Sequence, residues 1–203
     1  MNRLLQSKIT AGLILVCFVV YLYTTLRYGM TMSAIEGIQA GGFNPIYVVF
    51  YHQYYRLFTA NFIHFGIFHL LANCYSLYAF GMFLEYVIRF KRFLLLTVFS
   101  LFFTTSIPLI IYFINGFGAN TVLGGISGVI FSYLGAFTYI SFKYKEIFKR
   151  IFNQLIPILF LNLFISISVP SISLVGHLGG YIGGIIIMFC LEYFYPLYNK
   201  GLN

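Results

Sequence analysis

The feature that most constrains this chain is a series of apolar runs, each close to the length that crosses a bilayer. The first, Ile9 to Leu26, holds 18 residues without a charge. A helix needs about 20 apolar residues to cross the hydrocarbon core, and a run of 18 or more with few charges reads as a membrane span. This run is too long for the core of a signal peptide and no small-residue cleavage site follows it, so it reads as a retained span. Composition agrees: of 203 residues, 61% are hydrophobic and only 8% charged, against about 25% charged in soluble domains. Further spans are expected at about 66–88, 93–114, 124–142, 151–169 and 174–195. Together with about 9–26 they describe an all-α, polytopic membrane protein of six transmembrane helices, one domain over residues 1–203. The long connection from Arg27 to Ile63 is aromatic yet polar-spotted in its second half, as suits the headgroup region. A structureless loop of that length is uncommon, so an ordered, membrane-embedded first loop is expected.

The formal charge of +8 does not point to nucleic acid, because the basic residues gather at span ends, where they set topology. Ten of the twelve Lys and Arg residues fall on one side, at the amino end, the second-to-third link, the fourth-to-fifth link and the carboxyl end. Only Arg27 and Arg56 lie on the other. The positive-inside rule then puts both termini in the cytoplasm. Cys17, Cys74 and Cys190 lie scattered in apolar runs and fit neither a disulfide framework nor zinc spacing. Glu85 and Arg89, four residues apart, are expected to form a cytoplasmic ion pair.

Ionisable and amide side chains inside spans are costly and usually mark a cavity or functional site. Here they share one depth. His64 and His69 lie at the outer start of the second span with Asn73 a turn deeper, Ser127 at the outer start of the fourth, and His177 at the outer start of the sixth. At about 100° per residue, His69 and Asn73 are neighbours on one helix face, while His64 is turned well away. The stretch Gly124-Gly125-Ile126-Ser127-Gly128 puts a serine between residues without side chains, at a helix start whose free N–H groups favour negative charge. A serine nucleophile needs a base, for which His177 is the candidate, and an oxyanion needs donors, for which His69, Asn73 and the Ser127 amide qualify. No acidic third member is available on that side: Glu85, Glu146 and Glu192 lie at cytoplasmic ends and Glu36 in the long loop. The bland alternatives are that the histidines and Asn73 bond between helices, and that Gly124 and Gly128, like Gly176, Gly180 and Gly184, only form small-residue packing faces.

The run His64-x4-His69-x3-Asn73, the segment Gly125-Ile-Ser127-Gly128 and the run His177-x2-Gly180-x3-Gly184, in this order on these spans, resemble the rhomboid intramembrane serine proteases. The resemblance covers nearly the whole chain. It implies Ser127 as nucleophile, His177 as general base, and His69, Asn73 and the Ser127 amide around the oxyanion, with Gly125, Gly128, Gly180, His64 and Phe131 in support. It also implies cleavage of single-span membrane proteins within the bilayer, near the extracytoplasmic end of their transmembrane segments, with no cofactor and no metal. Phe131 stands where many members place a tyrosine that stacks on the histidine, and Tyr55-Arg56 where the family usually has Trp-Arg. Pro170 to Ser173 matches the family's cap before the sixth span. The expected location is a bacterial cell (inner) membrane. The short termini imply no added soluble domain. Deacylation needs water, so an outward cavity lined by His64, His69 and Asn73 is expected. Two other readings stand beside this one: a non-catalytic rhomboid-like binder of transmembrane clients, and a haem or metal protein using His64, His69 and His177.

Overall fold

The computed structural model of the chain describes residues 7–151, 153 and 173–197. The first helix, α1 (Lys8–Tyr28), begins without a cap from its own Ser7. A helix start leaves its first N–H groups unpaired, and here a carboxylate 75 residues away takes them. Glu85 accepts from the Ile9 and Thr10 amides at 3.1 and 3.0 Å and from the Thr10 hydroxyl at 2.7 Å. The expected Glu85–Arg89 pair is therefore not formed. Arg89 sits where the helix breaks, and the Glu85 carboxylate is drawn to the positive end of α1 instead.

Between α1 and the next long helix the chain forms α2 (Ala34–Gln39), α3 (Pro45–Val49), α4 (Arg56–Thr59) and a 3-10 turn, Ala60–Phe62. The starts of α2 and α3 are encoded locally. Ser33 and Glu36 make a reciprocal capping box, and these bonds to Ser33 hold the Glu36 carboxyl below its ordinary pKa. Asn44 caps α3 with proline at its first position. The segment is tied together by Arg56, which is buried without a carboxylate. Its Nη1 donates to the Ile38 and Gly42 carbonyls at 2.6 and 2.7 Å, and its Nε to Gln53 Oε1 at 2.7 Å. The Tyr47 and Tyr55 rings lie 4.9 and 5.4 Å from its guanidinium carbon.

Helix α5 (Ile67–Ser76) passes through a π turn at Leu77–Gly81 into α6 (Met82–Asn115). The 49 residues from Ile67 to Asn115 would measure about 74 Å as one straight helix, more than twice the hydrocarbon core of about 30 Å. The chain reverses instead at Arg89, whose φ of 70° and ψ of 161° are not helical. Before that residue the helix runs parallel to α7 (Ser127–Lys143), with His69 beside Gly125 and Phe83 against Phe137. After it the direction is antiparallel: Thr97 meets Tyr133, Ser100 meets Ser132, and Thr104 meets Gly128. The break falls in the charged link expected between the second and third spans.

Helix α7 is the axis of the bundle, every residue from Gly128 to Phe137 being buried. A helix buried all round must be small or apolar on every face, and its hydroxyls at Ser132 and Tyr133 are paired with Ser100 and Thr97. The last helix, α8 (Leu174–Phe194), is capped by the Ser173 hydroxyl. Among the described residues the fold is all-helical; its only strand-like feature is an isolated bridge between Phe43 and Leu123. Three helical stretches among the described residues are long and apolar enough to cross a membrane: Lys8–Tyr28, Ile67–Asn115 and Leu174–Phe194. The expected fifth span at 151–169 and the cap at Pro170–Ser173 lie, but for Ile151, Asn153 and Ser173, outside the described residues.

Candidate active site

The site is built where the segment before α7 meets α5. Leu123 pairs with Phe43 through two backbone bonds of 2.8 and 2.9 Å, and the Gly125 amide donates to the Ala60 carbonyl at 3.0 Å. Asn44 Nδ2 adds bonds to the Ala119 and Thr121 carbonyls at 2.8 and 2.9 Å. These bonds hold the approach to Ser127 against the first loop. Gly125 has a φ of 110°, a conformation that glycine adopts at little cost. A Cβ on it would lie 2.7 Å from His69 Nε2 and 3.3 Å from Asn73 Nδ2. The glycine thus lets the backbone ahead of the serine come directly over the His69 and Asn73 side chains. Asn73 is buried and its Nδ2 has no hydrogen-bond partner among the described residues, so a donor stands ready beside that backbone.

Ser127 is the first residue of α7 and is only half-buried. Its Oγ lies 2.8 Å from His177 Nε2, on a different helix. Close approach of α7 and α8 makes this possible. A Cβ on Gly180 would fall on the Gly128 carbonyl, and one on Gly184 on the Ser132 carbonyl. The i, i+4 glycines of α8 therefore bring the two backbones into contact, as small-residue seams do. Gly179 and Gly183 form a second such face toward Ile107 and Phe103 of α6. The His177 ring stacks on Phe131, centroids 4.2 Å apart and planes 12° from parallel, which limits its rotation toward one side.

His64 behaves differently from the expectation of a continuous helix. The helix starts only after Gly66, whose φ and ψ are extended. His64 therefore folds back, its ring edge-on to His69 with centroids 5.1 Å apart. Its Nδ1 lies 3.1 Å from the Phe62 carbonyl; a carbonyl only accepts, so this contact puts the proton on Nδ1. A cavity of about 60 Å³ opens beside Ser127, lined among others by His69, Gly125, His177, Asn61 and Thr104. His64 and Asn73 do not line it: His64 is fully enclosed, and Asn73 is screened by Gly125 and His69. Asn61 and Thr104, which bond each other at 2.8 Å, are with Thr105 the polar lining residues that the sequence did not single out. Thr104 lies at the middle of the span expected at 93–114, so the matched depth that groups His69, Ser127 and His177 carries no signal for it.

A family model described as the rhomboid domain matches residues 51–194, well over half of the chain. The chain belongs to the rhomboid family. This rhomboid is 32% identical over 185 residues to RHOMBOID-like protein 1 of Arabidopsis thaliana, covering 84% of this chain and 43% of that protein. It is 28% identical over 180 residues to Rhomboid protease GluP of Bacillus subtilis, covering 88% of this chain and 34% of that one. Against Rhomboid-like protein 15 of Arabidopsis thaliana the identity is 28% over 202 residues, with 94% and 47% covered. The chain thus spans between a third and a half of the length of these relatives. Family and apolar helices together make it an integral membrane protein.

Proposed function

We propose that this rhomboid is an intramembrane serine endopeptidase that cuts single-span membrane proteins near the extracytoplasmic end of their transmembrane segments. The observation that carries the reading is the 2.8 Å approach of Ser127 Oγ to His177 Nε2 from two different helices. Supporting it, one relative carries the name of a protease. In this mechanism His177 takes the hydroxyl proton as Ser127 attacks the scissile carbonyl, then returns it to the leaving amine. In this reading the oxyanion forms at the start of α7, where the helix dipole favours negative charge, with the Ser127 amide and the cavity-lining His69 as its donors and Asn73 Nδ2 behind them. Gly125 and Gly128 clear the approach, Gly180 sets the distance between helices, Phe131 backs the His177 ring and His64 backs His69. The cavity beside Ser127, at about 60 Å³, has room for about four to six waters at roughly 10–15 Å³ of such volume each, which is enough to supply deacylation.

The same reading takes residues 1–203 as one domain of six spans in a bacterial cell (inner) membrane, both termini cytoplasmic. Ten of twelve basic residues on one side support the orientation, which a reporter fused to the carboxyl end reads directly. The test of function is a membrane-anchored reporter substrate incubated with the parent chain and with Ser127→Ala. We expect cleavage by the parent and none above background by the variant; cleavage persisting at the parent rate overturns the mechanism.

A further inference from the structure

The two helices that bear Ser127 and His177 are joined again at their opposite ends by a buried carboxylate. Glu192 of α8 is 2% exposed, and both of its oxygens are engaged. Oε2 accepts from Lys143 Nζ at 2.9 Å and from the Tyr144 hydroxyl at 2.5 Å, and Oε1 from the Leu197 amide at 2.9 Å. Lys143 is the last residue of α7 and Tyr144 its C-terminal cap. Sixteen residues separate Ser127 from Lys143 and fifteen separate His177 from Glu192, about 24 and 22 Å of helix. The pair is therefore parallel, joined by a serine–histidine contact at one end and an ionic clamp at the other.

What lies between is mostly backbone resting on backbone. Along the seam Gly180 and Gly184 rest on the backbone of Gly128 and Ser132, and Gly135 on the Tyr181 carbonyl, with Tyr181 bonded to Thr138 at 3.1 Å and Tyr139 edge-on to Phe189 at 6.0 Å. Glycine faces allow close contact but present few knobs to hold one helix against axial sliding over the other. The clamp does so through Lys143 and Tyr144 at the end of α7, while the Leu197 amide fixes the carboxylate from its own end of α8. Arg92 reinforces it by donating to the Tyr195 and Pro196 carbonyls, each at 2.8 Å, just past the end of α8. We propose that Glu192 is a positioning residue for the dyad, setting the axial register of α8 on α7 so that His177 meets Ser127. This rests on Ser127 and His177 acting as proposed above. Misplacement of a reacting group by 1 Å costs up to about a hundredfold in rate, so a clamp some 22 Å away is felt at the site through a rigid helix.

The experiment compares the full chain with Tyr144→Phe and Glu192→Gln in bilayer nanodiscs. Tyr144→Phe keeps the ring packing and removes only the hydroxyl, so it remains informative where the Glu192 change fails to fold. Steady-state cleavage of the anchored reporter is measured together with the 15N NMR signal of His177 Nε2, which reports its bond to Ser127 without requiring turnover. Expected is a fall in kcat of about tenfold or more with KM within about twofold, and a displaced His177 signal. Parent-like kcat and an unmoved signal, with only the unfolding temperature lowered, overturn the proposal. If the parent fails to cleave while its His177 signal still depends on Glu192, the protease reading falls and the register claim stands. If the parent cleaves and both readouts ignore the clamp, the reverse holds.

Discussion

Gly184 and Arg56 mark two regions that hold the same site by opposite means. At Gly184 the α7–α8 seam works by what is missing: without a Cβ, one backbone rests on the carbonyl of the other. At Arg56 the first loop works by what is added, a long side chain whose donors gather the Ile38 and Gly42 carbonyls and the Gln53 side chain. The contrast follows from the backbone each region has to satisfy. Helices pair their own polar groups internally and need only contact area. The irregular segment from residue 29 to 66 leaves carbonyls unpaired, and buried ones must find donors. The seam is thus intolerant of volume, and the loop intolerant of lost donors.

Substitutions in the two regions should fail in different ways. The largest effect is expected from Gly184→Ala, since the added methyl overlaps the Ser132 backbone, which cannot rotate aside. We expect a loss of about 3 kcal/mol or more, read as a lowered unfolding midpoint, and loss of cleavage with it. A midpoint within a degree of the parent would show that the seam is looser than described. Next comes Arg56→Ala, which strips charged donors from buried carbonyls at about 2–3 kcal/mol. Cavity-sized apolar replacements should not rescue it, whereas they would if the residue only filled space. Asn44→Ala removes both the α3 cap and the bonds to the Ala119 and Thr121 carbonyls. About 1–2 kcal/mol is expected, with faster hydrogen exchange in residues 119–123 as its signature. Smallest is Tyr47→Leu, which deletes one ring over the Arg56 guanidinium for about 0.5–1 kcal/mol. A cost as large as that of Arg56→Ala would mean that stacking, not the hydrogen bonds, anchors the loop.

The same contrast explains what the sequence disclosed. Polar residues are rare inside apolar spans, so Ser127, His177, His69 and Asn73 stood out, and matched depth was enough to group them. The glycine seam was visible as an i, i+4 pattern, though its second face through Gly179 and Gly183 was not, because a repeat says nothing about which neighbour it meets. His64 and Glu85 depart from a regular helix and from a local partner. His64 lies before Gly66, outside the helix, so counting 100° per residue sent its ring the wrong way. Glu85 found the start of α1 rather than Arg89, and no local spacing encodes a partner 75 residues distant. Asn61 escaped notice because it belongs to the irregular segment, where sequence gives no periodicity from which to infer direction.

In the proposed mechanism Ser127 is an alcohol activated by His177. A fluorophosphonate probe applied to the full chain in bilayers, followed by peptide mass mapping, tests it most directly. The expected result is one adduct, on Ser127, that disappears in His177→Ala although that variant still unfolds at the parent temperature. No adduct on Ser127, or equal labelling with and without the imidazole, would contradict the account.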